Sequence, residues 1–279
     1  MVLGHEGVGI VEELGPDAKV LKKGDRVGWG YETFACGHCI ECLEGAETFC
    51  PDRDLYGSDN FDQGSFATHG IWHESFLHII PESIDSVSAA PLQCGGATIF
   101  TALIGTKPTD VVGVMGVGGL GHLAIQFAAK MGFRVIVLSG TDRKKDEAHR
   151  LGAHEFIATK GAKELTTPYP INRLLVTTSA QPDWQLILPI LAPRSTIFPL
   201  SVSSDNIEFP SMPMILAGIN VQGSMVAVRS VHRKMLDFAA LHNIRPITQE
   251  FPMTRDGIQD AVRKLEKGEI YYRAVLIPQ

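Results

Sequence analysis

Between Val111 and Ser139 the spacing of apolar positions changes twice. Val111–Met115 is apolar throughout, as a strand buried on both faces should be. Apolar residues then fall at Leu120, Ala124, Phe127 and Met131, the spacing of one helix face. Gly132 supplies a helix stop, and Val135–Leu138 reads as a second strand. Leu174–Thr178, Thr196–Leu200 and Ile219–Gly223 add three more strand patterns with helical stretches between them. Residues 106–245 therefore predict a doubly wound parallel sheet. The flanks differ. Residues 1–35 alternate short runs such as Val8–Val11 with turns at Gly15-Pro16 and Gly24-Asp25, without helical period. Further strand-like pieces follow at Phe66-Ala67, Ile71 and Phe76–Ile80, then a helix–turn–helix pattern over Ser86–Leu103. Arg255–Lys267 is amphipathic, and Tyr271–Ile277 predicts a last strand.

The junction inside the first βαβ unit carries chemistry. Gly116-Val117-Gly118-Gly119-Leu120-Gly121 is a G-x-G-x-x-G between a predicted strand and a predicted helix. Gly116 permits a tight turn, Gly118 lets the backbone approach a pyrophosphate, and Gly121 allows close helix–strand packing. The helix N-terminus adds free N–H groups and a dipole suited to phosphate. This predicts a dinucleotide site.

Bulk properties narrow the field. In 279 residues, 44% hydrophobic and 20% charged, there is enough apolar material for a sizeable core. The net charge of −6 and the lack of a basic run argue against nucleic acid. His122, Gln126 and Lys130 interrupt the most apolar stretch, so no membrane span is expected. The opening MVLGHEGVGIVEELG has no secretory pattern, which makes the cytoplasmic compartment the default expectation. Cys36, Cys39, Cys42 and Cys50 then point to metal before disulfides. Four thiolates so spaced can close tetrahedrally on Zn²⁺ at about 2.3 Å each, a saturated and therefore structural site. His5, Glu6 and Cys94 are scattered. Taken singly they read as a surface pair and a small buried thiol.

In combination these segments resemble a family. Gly4-His5-Glu6-Gly7-Val8-Gly9, Gly24-Asp25-Arg26-Val27-Gly28, the four-cysteine lobe, Pro91-Leu92-Gln93-Cys94-Gly95-Gly96-Ala97-Thr98 and the glycine turn follow in one order. The order resembles the zinc-containing alcohol dehydrogenases of the medium-chain dehydrogenase/reductase superfamily, nearest their cinnamyl-alcohol-dehydrogenase-like NADP(H) branch. The resemblance implies an α/β fold: a Rossmann-type doubly wound parallel sheet plus a GroES-like, mostly β catalytic domain. It implies a catalytic domain at 1–105 with the zinc lobe at 36–50, an NADP(H) domain at 106–245, and a return to the catalytic domain at 246–279. His5 and Cys94 become ligands of a catalytic zinc, with Glu6 a neighbouring or alternate ligand. Thr98 comes to lie near the nicotinamide, and the segment at Ser224 to meet its carboxamide. The substrate is an alcohol or aldehyde, and a homodimer is the common assembly.

The end of the second strand bears on the cofactor. An NAD enzyme normally places an acid there for the ribose 2′-OH. This chain has Ser139-Gly140-Thr141-Asp142-Arg143-Lys144, hydroxyls and cations suited to a 2′-phosphate, with Gly140 where the family's NADPH branch usually has serine. NADP(H) is expected, at Ser139, Gly140, Thr141 and Lys144. Arg273 is placed either at the cofactor phosphates or in a surface salt bridge. The family's Gly-x-Cys-x-Ser/Thr-Asp motif, upstream of Gly-His-Glu, has no counterpart before Gly4. The catalytic domain is thus expected to be N-terminally incomplete, lacking one zinc ligand and the relay hydroxyl. Two functions follow: a zinc-dependent NADP(H) alcohol dehydrogenase, or a catalytically impaired NADP(H)- and zinc-binding module acting as a sensor.

Overall fold

The computed structural model describes residues 1–279 in two units, Met1–Thr98 with Met225–Gln279, and Ile99–Ser224. In the first, β1 (Gly7–Ile10) lies antiparallel to β2 (Arg26–Trp29). β3 (Glu32–Phe34) leads into α1 (Ile40–Leu43), and the chain returns as β4 (Asp54–Leu55), antiparallel to β3. β5 (His78–Ile79) pairs with the other edge of β2.

The strands predicted at Phe66-Ala67 and Ile71 do not form. The amides of Ser65 and Phe66 donate instead to the Leu3 carbonyl, at 2.9 and 2.8 Å. Those long-range bonds take groups that a sheet ladder would need.

α2 (Ser86–Pro91) starts where the Asp85 carboxylate accepts from the Ser88 amide at 2.8 Å, an N-cap. The turn predicted at Cys94-Gly95-Gly96 is a π-helical turn, Leu92–Gly96, that runs directly into α3 (Ala97–Leu103). Two glycines read as a break in sequence, but the chain stays helical. The wider turn moves the side-chain directions along it, a device common at functional sites.

The second unit continues as β6 (Val111–Met115), α4 (Gly121–Lys130), β7 (Arg134–Ser139), α5 (Lys145–Leu151) and β8 (Glu155–Ala158). It then runs through β9 (Ile171–Val176), α6 (Trp184–Ile187), β10 (Leu191–Pro199), α7 (Ser211–Ala217) and β11 (Asn220–Val221). The six strands are all parallel, in the order β11-β10-β9-β6-β7-β8. Strand order reverses between β6 and β9, the switch point at which such sheets bind ligands. Five of the six strands are among those predicted, and β8 is the addition. Ile136, Leu138, Leu174 and Ile197 pack with Trp184 and Ile187 in one buried cluster. Leu123 and Phe127 of α4 are fully buried as well.

The chain returns to the first unit with α8 (Arg229–Leu241), β12 (Thr248–Pro252), α9 (Arg255–Glu266) and β13 (Arg273–Ile277). β12 and β13 are parallel partners. The units divide after Thr98 and Ser224 rather than near 105 and 245, because α8 packs on β5 and the π turn.

Candidate functional site

The four cysteines of the lobe converge. Their Sγ atoms all lie within 4.8 Å of one another, the one group of three or more metal-ligating side chains so close. α1 and the turns around it do this locally: the Cys39 amide donates to Cys36 Sγ at 3.4 Å, and the Cys36 amide to Cys50 Sγ at 3.5 Å. The His38 amide, helped by other donors, draws the Cys36 thiol down to about 6. The Cys42 amide favours a thiolate at Cys39 too, yet desolvation and the neighbouring thiols push Cys39 up to about 12. Four thiolates this close repel one another, and a divalent cation is what lets all of them ionise. The donors and their spacing fit a closed, structural Zn²⁺ site.

A second group forms where distant segments meet. β1 begins beside Glu6, whose Oε1 accepts from the Gly95 amide at 3.3 Å, across 89 residues of sequence. Its Oε2 is paired with the guanidinium of Arg273, at the start of β13. Arg273 therefore makes an ion pair inside the first unit, and both Glu6 oxygens are engaged. His5 packs against the rings of Tyr31 and Tyr56, with centroids at 5.3 and 5.1 Å. Burial lowers its pKa, against Glu6 and with Arg273, so the imidazole is held neutral, the form that ligates metal. Burial, helped by Glu6, pushes the Cys94 thiol up to about 12, and the Thr98 hydroxyl hydrogen-bonds it. Neutral imidazole nitrogen and cysteine sulfur fit zinc as donors. His5, Glu6 and Cys94 do not form a three-donor cluster like that of the lobe.

Sequence reasoning missed the neighbours of Cys94. Gln93, His232 and His78 are 0%, 3% and 4% exposed, a buried polar set beside the π turn. His232 Nε2 lies 3.0 Å from Gln93 Oε1, and the His78 and His232 rings stack at 3.8 Å and 17°. A histidine within the apolar run Phe76–Ile80 was the available signal.

In the second unit the glycine turn follows β6. Gly116 has φ +93°, open to glycine at little cost. A Cβ on Gly121 would stand 1.9 Å from the Gly116 carbonyl oxygen, so α4 can begin there only with glycine. Gly118 has open space where a side chain would be, and the same holds for Gly140 past β7. Gly119 and Leu120 complete the turn into α4. Lys144 lies on a 3-10 turn, Asp142–Lys144, and its Nζ donates to the Val117 carbonyl at 2.7 Å. Its ammonium thus sits at the glycine turn, partly desolvated, which lowers its pKa. Ser139 ends β7, and Thr141 is exposed just beyond it. The buried hydroxyl of Ser224 has no hydrogen-bond partner. Open backbone at Gly118, a helix N-terminus and a nearby cation fit a dinucleotide.

Family models agree with this arrangement. Residues 1–82 match the alcohol dehydrogenase GroES-like domain, and residues 119–240 match the zinc-binding dehydrogenase domain. The chain belongs to the zinc-type alcohol dehydrogenases of the medium-chain dehydrogenase/reductase superfamily. Within that family it is cinnamyl-alcohol-dehydrogenase-like. Cinnamyl alcohol dehydrogenase 7 of Arabidopsis thaliana is 34% identical over 99% of this chain and 80% of that protein. A cinnamyl alcohol dehydrogenase structure from Sorghum bicolor superposes with TM-score 0.88 at 31% identity, covering 99% of this chain and 81% of that one. The CAD structure from Helicobacter pylori, complexed with NADP(H), gives TM-score 0.86 at 25% identity, covering all of this chain and 81% of that one. The alcohol dehydrogenase frame, with its GroES-like and Rossmann-type parts, is therefore the one read from the sequence. No helix is long and apolar enough to cross a membrane.

Proposed function

We propose that this alcohol dehydrogenase chain is an NADP(H)-dependent, zinc-containing oxidoreductase acting on an alcohol/aldehyde pair. The observation that carries the reading is the convergence of Glu6, Arg273 and the Gly95 amide around the segments bearing His5 and Cys94. Under this reading, Cys36, Cys39, Cys42 and Cys50 hold a structural zinc that stiffens their lobe. His5 and Cys94 contribute two donors to a catalytic zinc. Glu6 braces them through Arg273 and the Gly95 amide and is their neighbouring or alternate ligand. Zinc bound there would act as a Lewis acid on the substrate oxygen.

Gly116–Gly121 and the start of α4 receive the pyrophosphate of the cofactor. Ser139, Gly140, Thr141 and Lys144 would hold the 2′-phosphate, the Lys144 ammonium already lying at the glycine turn. Thr98 hydrogen-bonds the Cys94 thiol, and Thr98 and the Ser224 segment are the residues that would serve the nicotinamide and its carboxamide, as the family resemblance implies. The absence of an acid at the end of β7 supports NADP(H) over NAD.

The test is aldehyde-dependent oxidation of NADPH compared with NADH by the purified chain. Turnover with at least tenfold preference for NADPH is expected. Tight NADPH binding with no turnover would overturn the enzyme reading in favour of a binding module.

A further inference from the structure

The π turn that carries Cys94 is held from one side by a chain of buried polar groups. Gln93, the residue before Cys94, is fully buried and uses both ends of its amide. Its Nε2 donates to the Ala89 carbonyl at 2.9 Å, one helical turn back in α2. Its Oε1 accepts from His232 Nε2 at 3.0 Å, on α8. That bond fixes the His232 proton on Nε2, since an amide oxygen can only accept. His232 in turn stacks face to face on His78 of β5, at 3.8 Å.

Strand β2 and the glycine just past it leave room for this chain of contacts. A Cβ on Gly28 would stand 2.4 Å from the Gln93 side-chain amide, and one on Gly30 would stand 2.7 Å from the Gln93 carbonyl oxygen. Glutamine 93 is thus boxed by two glycines, a helix carbonyl and a histidine. A leucine would fill such space without needing any of these partners. Buried polar groups confer a single arrangement where an apolar side chain of similar size tolerates several.

We propose that His232 and Gln93 are positioning residues, joining α8 to the π turn so that the Cys94 thiol is presented in one orientation. The inference rests on the reading of Cys94 as a functional thiol, and concerns what aims it. A single π turn between two α-helical segments takes its side chains out of the α-helical register on either side. The Gln93–His232 bond fixes the turn from outside the helix.

Three variants separate aiming from mere stability: His232→Leu, Gln93→Leu and the double replacement. His232→Leu leaves a buried amide oxygen without a donor and should lower the melting temperature. The double variant removes both partners together and should recover most of that loss. Aiming has its own readout, the rate at which Cys94 is alkylated by iodoacetamide in zinc-loaded protein, mapped by mass spectrometry. The proposal predicts at least a fivefold change in that rate in both His232→Leu and the double variant, with the four lobe cysteines unchanged. It also predicts a fall in kcat, with little change in KM for NADPH.

If the double variant regains wild-type alkylation along with its stability, the brace is structural only and the proposal is overturned. The alkylation rate is measured whether or not the protein turns over. An inactive wild type would therefore count against the proposed function and leave this test intact.

Discussion

The cysteine lobe and the contact of Glu6 with Gly95 and Arg273, between the segments that bear His5 and Cys94, are built in opposite ways. The lobe draws all its donors from residues 36–50, and they stand within 4.8 Å of one another through local turns and α1. The other region brings the start of β1, the π turn and the start of β13 together, through Glu6 with Gly95 and Arg273. The first needs a short segment to fold correctly. The second needs the whole first unit. A locally built site is legible in spacing alone, and a site built by the fold is legible only once the fold is known.

The largest expected effect falls on the lobe. Cys50 is fully buried, and Cys50→Ser should abolish zinc binding there and melt residues 36–50. Structural zinc carries about 10 kcal/mol or more of folding free energy in small zinc modules, so the cost here should be several kcal/mol at least. Zinc content and urea unfolding measure it. A variant that keeps its lobe zinc and its stability would break the comparison.

A smaller effect is expected in the long-range region. Arg273→Leu strands Glu6, a half-buried carboxylate, with only the Gly95 amide. The pair is partly screened by solvent, so the loss should be about 1–3 kcal/mol. Urea denaturation should show it without loss of lobe zinc. Loss of the lobe zinc as well would mean that the two regions are coupled.

Acid should act on the buried histidines beside the π turn. Burial, helped by Arg233 and Arg229, holds His78 down to about 3 from 6.5. Burial, helped by His78, also holds His232 well below 6.5. Both are neutral when folded and bind protons when unfolded, so each lowers stability as pH falls below 6.5. Glu32 runs the other way. Desolvation and Glu47 raise it to about 7 from 4.5, against Arg229 and Arg53, so it favours the fold as pH falls through that range. Two histidines outweigh one carboxyl. Between 6.5 and 4.5 stability should therefore fall as pH falls. Stability measured across that window should flatten in His78→Phe, and an unchanged slope would contradict the assignment.

Much of the second unit was legible in the sequence because its strands are apolar on both faces and its first helix keeps a clear period. β8 was missed: Glu155–Ala158 is four residues long and opens on a charge, too short for alternation to show. β12 was missed because Thr248–Pro252 carries only one buried residue, Phe251. The strand pieces at Phe66-Ala67 and Ile71 were overread: the Phe66 amide donates to the Leu3 carbonyl, far off in sequence, and the Ile71 carbonyl accepts from the Gln63 side chain.

Among candidate sites, the lobe and the glycine turn could be read from spacing and context. His5 and Cys94 gained meaning only through the ordered resemblance to the family. Gln93 and His78 were passed over because single polar residues among apolar ones carry no signature until the fold stacks them, and His232 because it stands among the charged residues of α8.

Zinc content per chain, in the wild type and in Cys94→Ser, tests the central claim most directly. Two separately built sites predict about two Zn²⁺ per wild-type chain and about one in the variant, with the lobe zinc and NADPH affinity retained. An equal zinc content in both proteins would contradict the assignment of Cys94 to a second, fold-built metal site.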